Sequence, residues 1–200
     1  MIFSSTIYTE HKFKKDYQFW LPLIALYSGA RLEELCQLHL RDIQLETTPP
    51  YIDINDNFDG QHIKNNSSRR KIPIHPELIA VGFDNFVSQK KLCGEKMLFG
   101  YLAPQRQQLG HKPSQWFSKY KTRLGINNNK KVFHSFRHTM VDHPKKARAR
   151  DYEIKSLLGH KNGSITHDIY GSIDPPIDTV SKMLNELSFK KLTSQIKKWS

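Results

Sequence analysis

Two hundred residues carry 31 Lys and Arg against 19 Asp and Glu, a formal charge of +12, on a chain long enough to bury a core of its own. That excess points to a polyanionic partner, nucleic acid ahead of an anionic membrane surface, because each neutralised phosphate releases condensed counterions. No apolar run approaches the roughly 20 residues that span a bilayer, and the two cysteines, Cys36 and Cys93, stand far apart outside any CxxC pair. Neither a disulfide framework nor a cysteine zinc site is therefore supported, and both thiols read as reduced core groups of a soluble, cytoplasmic protein.

In chain order, residues 1–15 are polar and basic, and Tyr17 to Tyr27 has the apolar density of a buried helix with a proline near its start. Ser28-Gly29-Ala30 breaks it, and a second helix is expected from about Arg31 to Arg41-Asp42. Pro49-Pro50 precedes Tyr51 to Asn55, which alternates like a half-buried strand. Asp59-Gly60 and Asn65 to Ser68 read as turns, with Gln61 to Lys64 and Arg70 to Ile74 as two further strands of an antiparallel meander. His75-Pro76 opens a helix through about Lys90, and Lys112 to Leu124 reads as another with Trp116, Phe117 and Tyr120 inward. Helices follow at 135–149, 152–158, 164–170 and 176–198. The expected class is mainly α with a small antiparallel β-sheet, divided into residues 1–175 and a helical tail at 176–200.

The chemistry concentrates between His134 and Tyr170. His134-Ser-Phe-Arg137-His138, then Leu157-Leu-Gly-His160, then Asp168-Ile-Tyr170 offer imidazoles, a guanidinium and a phenol to one anionic group. A phosphodiester resists nucleophiles because it is itself anionic, and an arginine fork donates two parallel hydrogen bonds to its oxygens.

Five short motifs fall in order: Gly29-Ala-Arg31-Leu-Glu-Glu34-Leu, the Lys64 hairpin ending in Arg70-Lys-Ile-Pro-Ile74, His134-Ser-Phe-Arg137-His138, Leu158-Gly-His160, and Tyr170. Together, over residues 17–175, they resemble the catalytic domain of the tyrosine recombinases, the phage integrase family, and His160-Lys-Asn-Gly-Ser-Ile-Thr is most similar to prophage-type integrases. The resemblance implies roles residue by residue. Arg31 and Arg137 would clamp the scissile phosphate, with hydrogen bonds added by His134 and His160. His134 is also the candidate acceptor of the tyrosine proton, Tyr170 the covalent nucleophile and Lys64 the acid for the departing 5′ oxygen. Glu34 would support the arginine clamp from behind. His138 reads as a buried structural histidine. No carboxylate cluster has metal-ligand spacing, so neither a metal nor another cofactor is expected.

Arg69, Arg70, Lys71 and Lys112 flank these positions and are the expected DNA contacts. The implied partner is double-stranded DNA, with self-association on it as a tetramer and a nucleoid-associated location when bound. The resemblance further implies an N-terminal core-binding domain gripping the opposite DNA face, which residues 1–15 are too short to form. Relaxation of supercoils in the manner of a type IB topoisomerase, and non-catalytic DNA binding by a remnant or regulator, are the alternative functions.

Overall fold

A computed structural model describes residues 2–105, 108–160 and 175–199. Helices α1 (Thr6–Thr9), α2 (Asp16–Ser28), α3 (Leu32–Cys36), α4 (Pro76–Ala80), α5 (Phe83–Leu92), α6 (His111–Arg123), α7 (Ser135–Lys146), α8 (Asp151–Leu158), α9 (Ile177–Asn185) and α10 (Lys190–Thr193) surround one small sheet. The sheet has strands β1 (Ile43–Gln44), β2 (Tyr51–Ile54) and β3 (Arg70–Pro73), antiparallel in that order. Ile43 lies opposite Ile52, and Ile54 opposite Arg70. The mainly helical class with a small antiparallel sheet holds.

The centre of the molecule is α2, which buries nearly every residue from Tyr17 to Ser28. Such a helix is apolar all round because it is covered all round. Packing therefore maintains it although Pro22 sits in its interior, where an intrahelical hydrogen bond is lost. Around it Phe19, Trp20, Phe83, Phe86 and Trp199 form an aromatic cluster, with Trp20 stacked on Phe86 at 5.0 Å.

Several expected elements are broken or moved, each for a tertiary reason. The helix expected from Arg31 to Asp42 stops at Cys36, because Leu38 and Leu40 instead pair through their backbones with Leu98 and Lys96. Residues 61–64 form no strand. The backbone of His62 is satisfied by the amide of Gln37, at 2.7 and 3.1 Å, so a side chain takes the place of a strand partner. The third strand is β1 instead. The helix expected from His75 to Lys90 is split at Gly82, whose φ of +98° suits glycine and whose missing Cβ leaves room for Trp199.

The segment from residue 176 is two helices rather than one, and it belongs to the core. Val180, Met183, Leu184, Leu187 and Phe189 are buried, and α9 packs on β3 and α8. Of the cysteines, Cys36 is buried as expected, whereas Cys93 is exposed, since it caps the C-terminus of α5 at the surface. Among the described residues no helix is long and apolar enough to cross a membrane.

Candidate active site

Three chain segments converge where α2 ends. Gly29 terminates α2 in the left-handed conformation, at φ +63°, and Arg31 then occupies the N-cap of α3 in extended backbone. Glu34, one turn along, accepts from the Arg31 backbone N–H at 2.8 Å and from Arg31 Nη1 at 2.6 Å. This arrangement is local: a carboxylate three residues into a helix reaches back to its cap. It points the Arg31 side chain across the start of α3, where about a quarter of it remains exposed.

Arg137 enters from α7. That helix opens at His134, which places His134 at its exposed end and Arg137 one turn in, buried against α2 and α8. Its Nη1 donates to the carbonyl of Gly29 at 2.8 Å, and its Nη2 donates to the Leu158 carbonyl and to Nε2 of His160, the latter at 2.9 Å. Close approach of the backbones makes this possible. A Cβ on Gly29 would lie 2.6 Å from Leu158 and 2.9 Å from Met140. Gly159, also left-handed at φ +64°, ends α8 and delivers His160 to Arg137.

The electrostatics follow from this crowding of cations. Burial, reinforced by the charges of Arg31 and Arg70, lowers Arg137 to about 10, so it stays protonated at neutral pH. Burial is also the main cause that depresses His134, followed by His138, Arg137 and Arg31. His160 is depressed by burial and then by Arg137, Arg31, Arg70 and His134. Each histidine is therefore neutral at pH 7 and able to accept a proton. Burial acts to raise the Glu34 carboxyl, but Arg70 and then Arg31 outweigh it and hold the group below its ordinary range.

The family model for phage integrases matches residues 8–175. The chain belongs to the phage integrase family. A tyrosine recombinase of Pseudothermotoga lettingae is 28% identical over 178 residues, covering 86% of this chain and 56% of that protein. The integrase of mycobacterium phage Brujita aligns structurally with a TM-score of 0.59 at 14% identity, over 92% of this chain and 58% of the other. The Tn1549 transposon integrase, in complex with transposon right end DNA, aligns at 0.54 and 19% identity, over 93% and 61%. These two likenesses show the fold, and the chain spans less than two thirds of the length of each relative.

Of the family positions read from the sequence, the fold gathers Arg31, Glu34, His134, Arg137 and His160 around the end of α2. Lys64 is exposed in the loop between β2 and β3, and among the described residues it bonds to none of that cluster. Tyr170 lies outside the described residues. Arg69, Lys71 and Lys112 are exposed, Arg69 pairing with Asp56 and Lys71 lying 4.7 Å over the Tyr51 ring.

Two expectations need correction. Arg70 is not a surface DNA contact: it is buried in an ion pair with Glu34 at 2.8 Å. The signal was the strand alternation itself, since Arg70 shares the inward face with Ile72 while Lys71 points out. His138 is exposed rather than buried, and its ring stands 5.0 Å from that of His134.

Proposed function

We propose that this chain is the catalytic part of a site-specific DNA recombinase, which cleaves and rejoins strands through a covalent 3′-phosphotyrosyl bond at Tyr170. The observation that carries it is the composition of the cluster: the guanidiniums of Arg31 and Arg137 with the neutral imidazoles of His134 and His160, beside Glu34, whose carboxylate is paired with the buried Arg70. Such a set of donors matches the non-bridging oxygens of a phosphodiester as charge grows on them.

In this mechanism Arg31, Arg137 and His160 hold those oxygens. The Tyr170 hydroxyl attacks phosphorus and loses its proton to neutral His134, and the P–O5′ bond breaks as Lys64 protonates the leaving oxygen. Attack by a 5′ hydroxyl on the phosphotyrosine reverses the step and rejoins the strand. Duplex DNA is the partner, a reading supported by the DNA-bound Tn1549 integrase and by the +12 charge. Self-association as a tetramer on DNA, and a role in prophage integration or excision, complete the proposal.

Trapping on a nicked suicide duplex tests it. Wild-type protein should form a covalent DNA adduct in excess EDTA, and Tyr170→Phe should form none while binding DNA nearly as tightly. An adduct that survives the substitution would remove Tyr170 from its role, and no adduct with wild type would favour a non-catalytic DNA-binding protein.

A further inference from the structure

Arg70 takes no part in the proposed reaction, yet its guanidinium is held at every nitrogen. Nε donates to the Leu157 carbonyl at 2.8 Å, Nη1 to the Ser68 carbonyl at 2.7 Å and to Glu34 Oε1 at 3.3 Å, and Nη2 to Glu34 Oε2 at 2.8 Å. Its side chain is 4% exposed and that of Glu34 5%. Gly159 adjoins it, since a Cβ there would sit 3.1 Å from Arg70 Cδ. One side chain thus joins β3, the cap of α3 that presents Arg31, and the end of α8 that presents His160.

The charge count explains why a second cation is needed here. A lone carboxylate beside Arg31 would form a neutral pair with it and cancel the charge meant for phosphate. Arg70 engages both Glu34 oxygens, leaving the Arg31 guanidinium bound to the carboxylate by Nη1 alone, beside the bond from the Arg31 backbone N–H. Among the described residues, Arg31 Nε and Nη2 donate to no partner. Three guanidiniums against one carboxylate leave a net +2, which matches the roughly two negative charges of a phosphodiester at its five-coordinate transition state.

Resting on the recombinase reading above, we propose that Arg70 is a positioning residue of the cleavage site: it neutralises Glu34 so that Arg31 keeps its charge for the scissile phosphate, and it anchors the helix end that carries His160. It touches neither the DNA nor the reacting atoms.

The test is single-turnover adduct formation at saturating DNA, with DNA affinity and thermal unfolding measured in parallel. Arg70→Met should slow adduct formation by about 100-fold, the scale of losing one transition-state donor, while DNA affinity changes by less than about threefold, because a buried group releases no counterion. Adding Glu34→Gln to Arg70→Met removes the carboxylate charge that captures Arg31, and should recover about tenfold of the lost rate. A purely structural role would make the double variant slower still.

A Met variant within about twofold of wild type, or a double variant no faster than the single, overturns the proposal. Arg70→Lys keeps the charge and loses the fork. It carries the test if the Met variant is unfolded at the assay temperature: a loss of no more than about tenfold supports the proposal, and a loss as large as the roughly 100-fold expected of Arg70→Met overturns it. Wild-type protein that forms no adduct overturns the recombinase reading and this proposal together, whereas a wild-type adduct with an equally fast Met variant overturns only the role of Arg70.

Discussion

Arg137 donates from Nη2 to Nε2 of His160 at 2.9 Å. A guanidinium has donors and no acceptor, so the imidazole must accept at Nε2 and carry its proton on Nδ1. His160 is therefore neutral in this arrangement, and in the proposed mechanism phosphate would compete with its ring for the Arg137 fork. Arg137 in turn is oriented by the carbonyls of Gly29 and Leu158, so the ends of α2 and α8 aim the guanidinium proposed to clamp the phosphate.

The pH dependence follows in sign. His134 and His160 are both held below the ordinary imidazole range by burial and neighbouring cations, so each is neutral from pH 8 down to at least about 6.5. The adduct rate per bound complex should be flat over that window and fall below it as His134 takes a proton and ceases to be a base. DNA affinity should move the opposite way, tightening in acid as two cations are added. Stability should also decline from about pH 6.5 downward, because the unfolded imidazoles bind protons first. A rate that instead rises in acid would remove His134 as the base.

Clamp and acid separate by the choice of leaving group. Arg137→Ala removes a donor on the order of 3 kcal/mol, about 100-fold in rate, from any substrate. Lys64→Ala should be equally poor on normal DNA and be rescued when the scissile 5′ oxygen is replaced by sulfur, since a thiolate leaves without protonation. Adduct yields of both variants on both substrates decide it, and rescue of Arg137→Ala alone would reverse the assignment.

The exposed basic residues beside the site should act as counterion-releasing contacts. With about six phosphates neutralised, log affinity should fall with log salt at a slope near −5. Arg69→Glu with Lys71→Glu should flatten that slope by about 2, one for each lost contact. Fluorescence anisotropy across a salt series measures it, and an unchanged slope would place the loop between β2 and β3 away from DNA. Arg70 is unsuited to this comparison, being buried against Glu34.

Gly29→Ala should destabilise the protein by about 2 kcal/mol, lowering Tm by roughly 4 to 8 °C. The residue combines φ +63° with a Cβ position 2.6 Å from Leu158 and 2.9 Å from Met140. The shift would also displace the carbonyl that orients Arg137, so the adduct rate should fall even well below Tm. A variant as stable as wild type, judged by thermal unfolding, would contradict the close packing of α2 on α7.

The sequence by itself determined the family, the helical class and the identity of the polar residues gathered at the end of α2. It did so because the motifs are short and local: Glu34 reaches back to Arg31 within one turn, and His134 and Arg137 lie one turn apart on α7. Tertiary structure decided what depends on partners distant in the chain. Residues 61–64 alternate well enough for a strand, yet Gln37, 25 residues away from His62, supplies the hydrogen bonds a strand would have made. Arg70 reads as part of a basic run, but Glu34 and Leu157 give a buried guanidinium the partners that burial requires. His138 and Cys93 read from their neighbours as inward, and only the rotation of α7 and the position of the α5 terminus turn them outward. Local spacing records which face a residue prefers, whereas burying a charge or an unpaired backbone group is settled by whether a partner arrives from elsewhere in the fold.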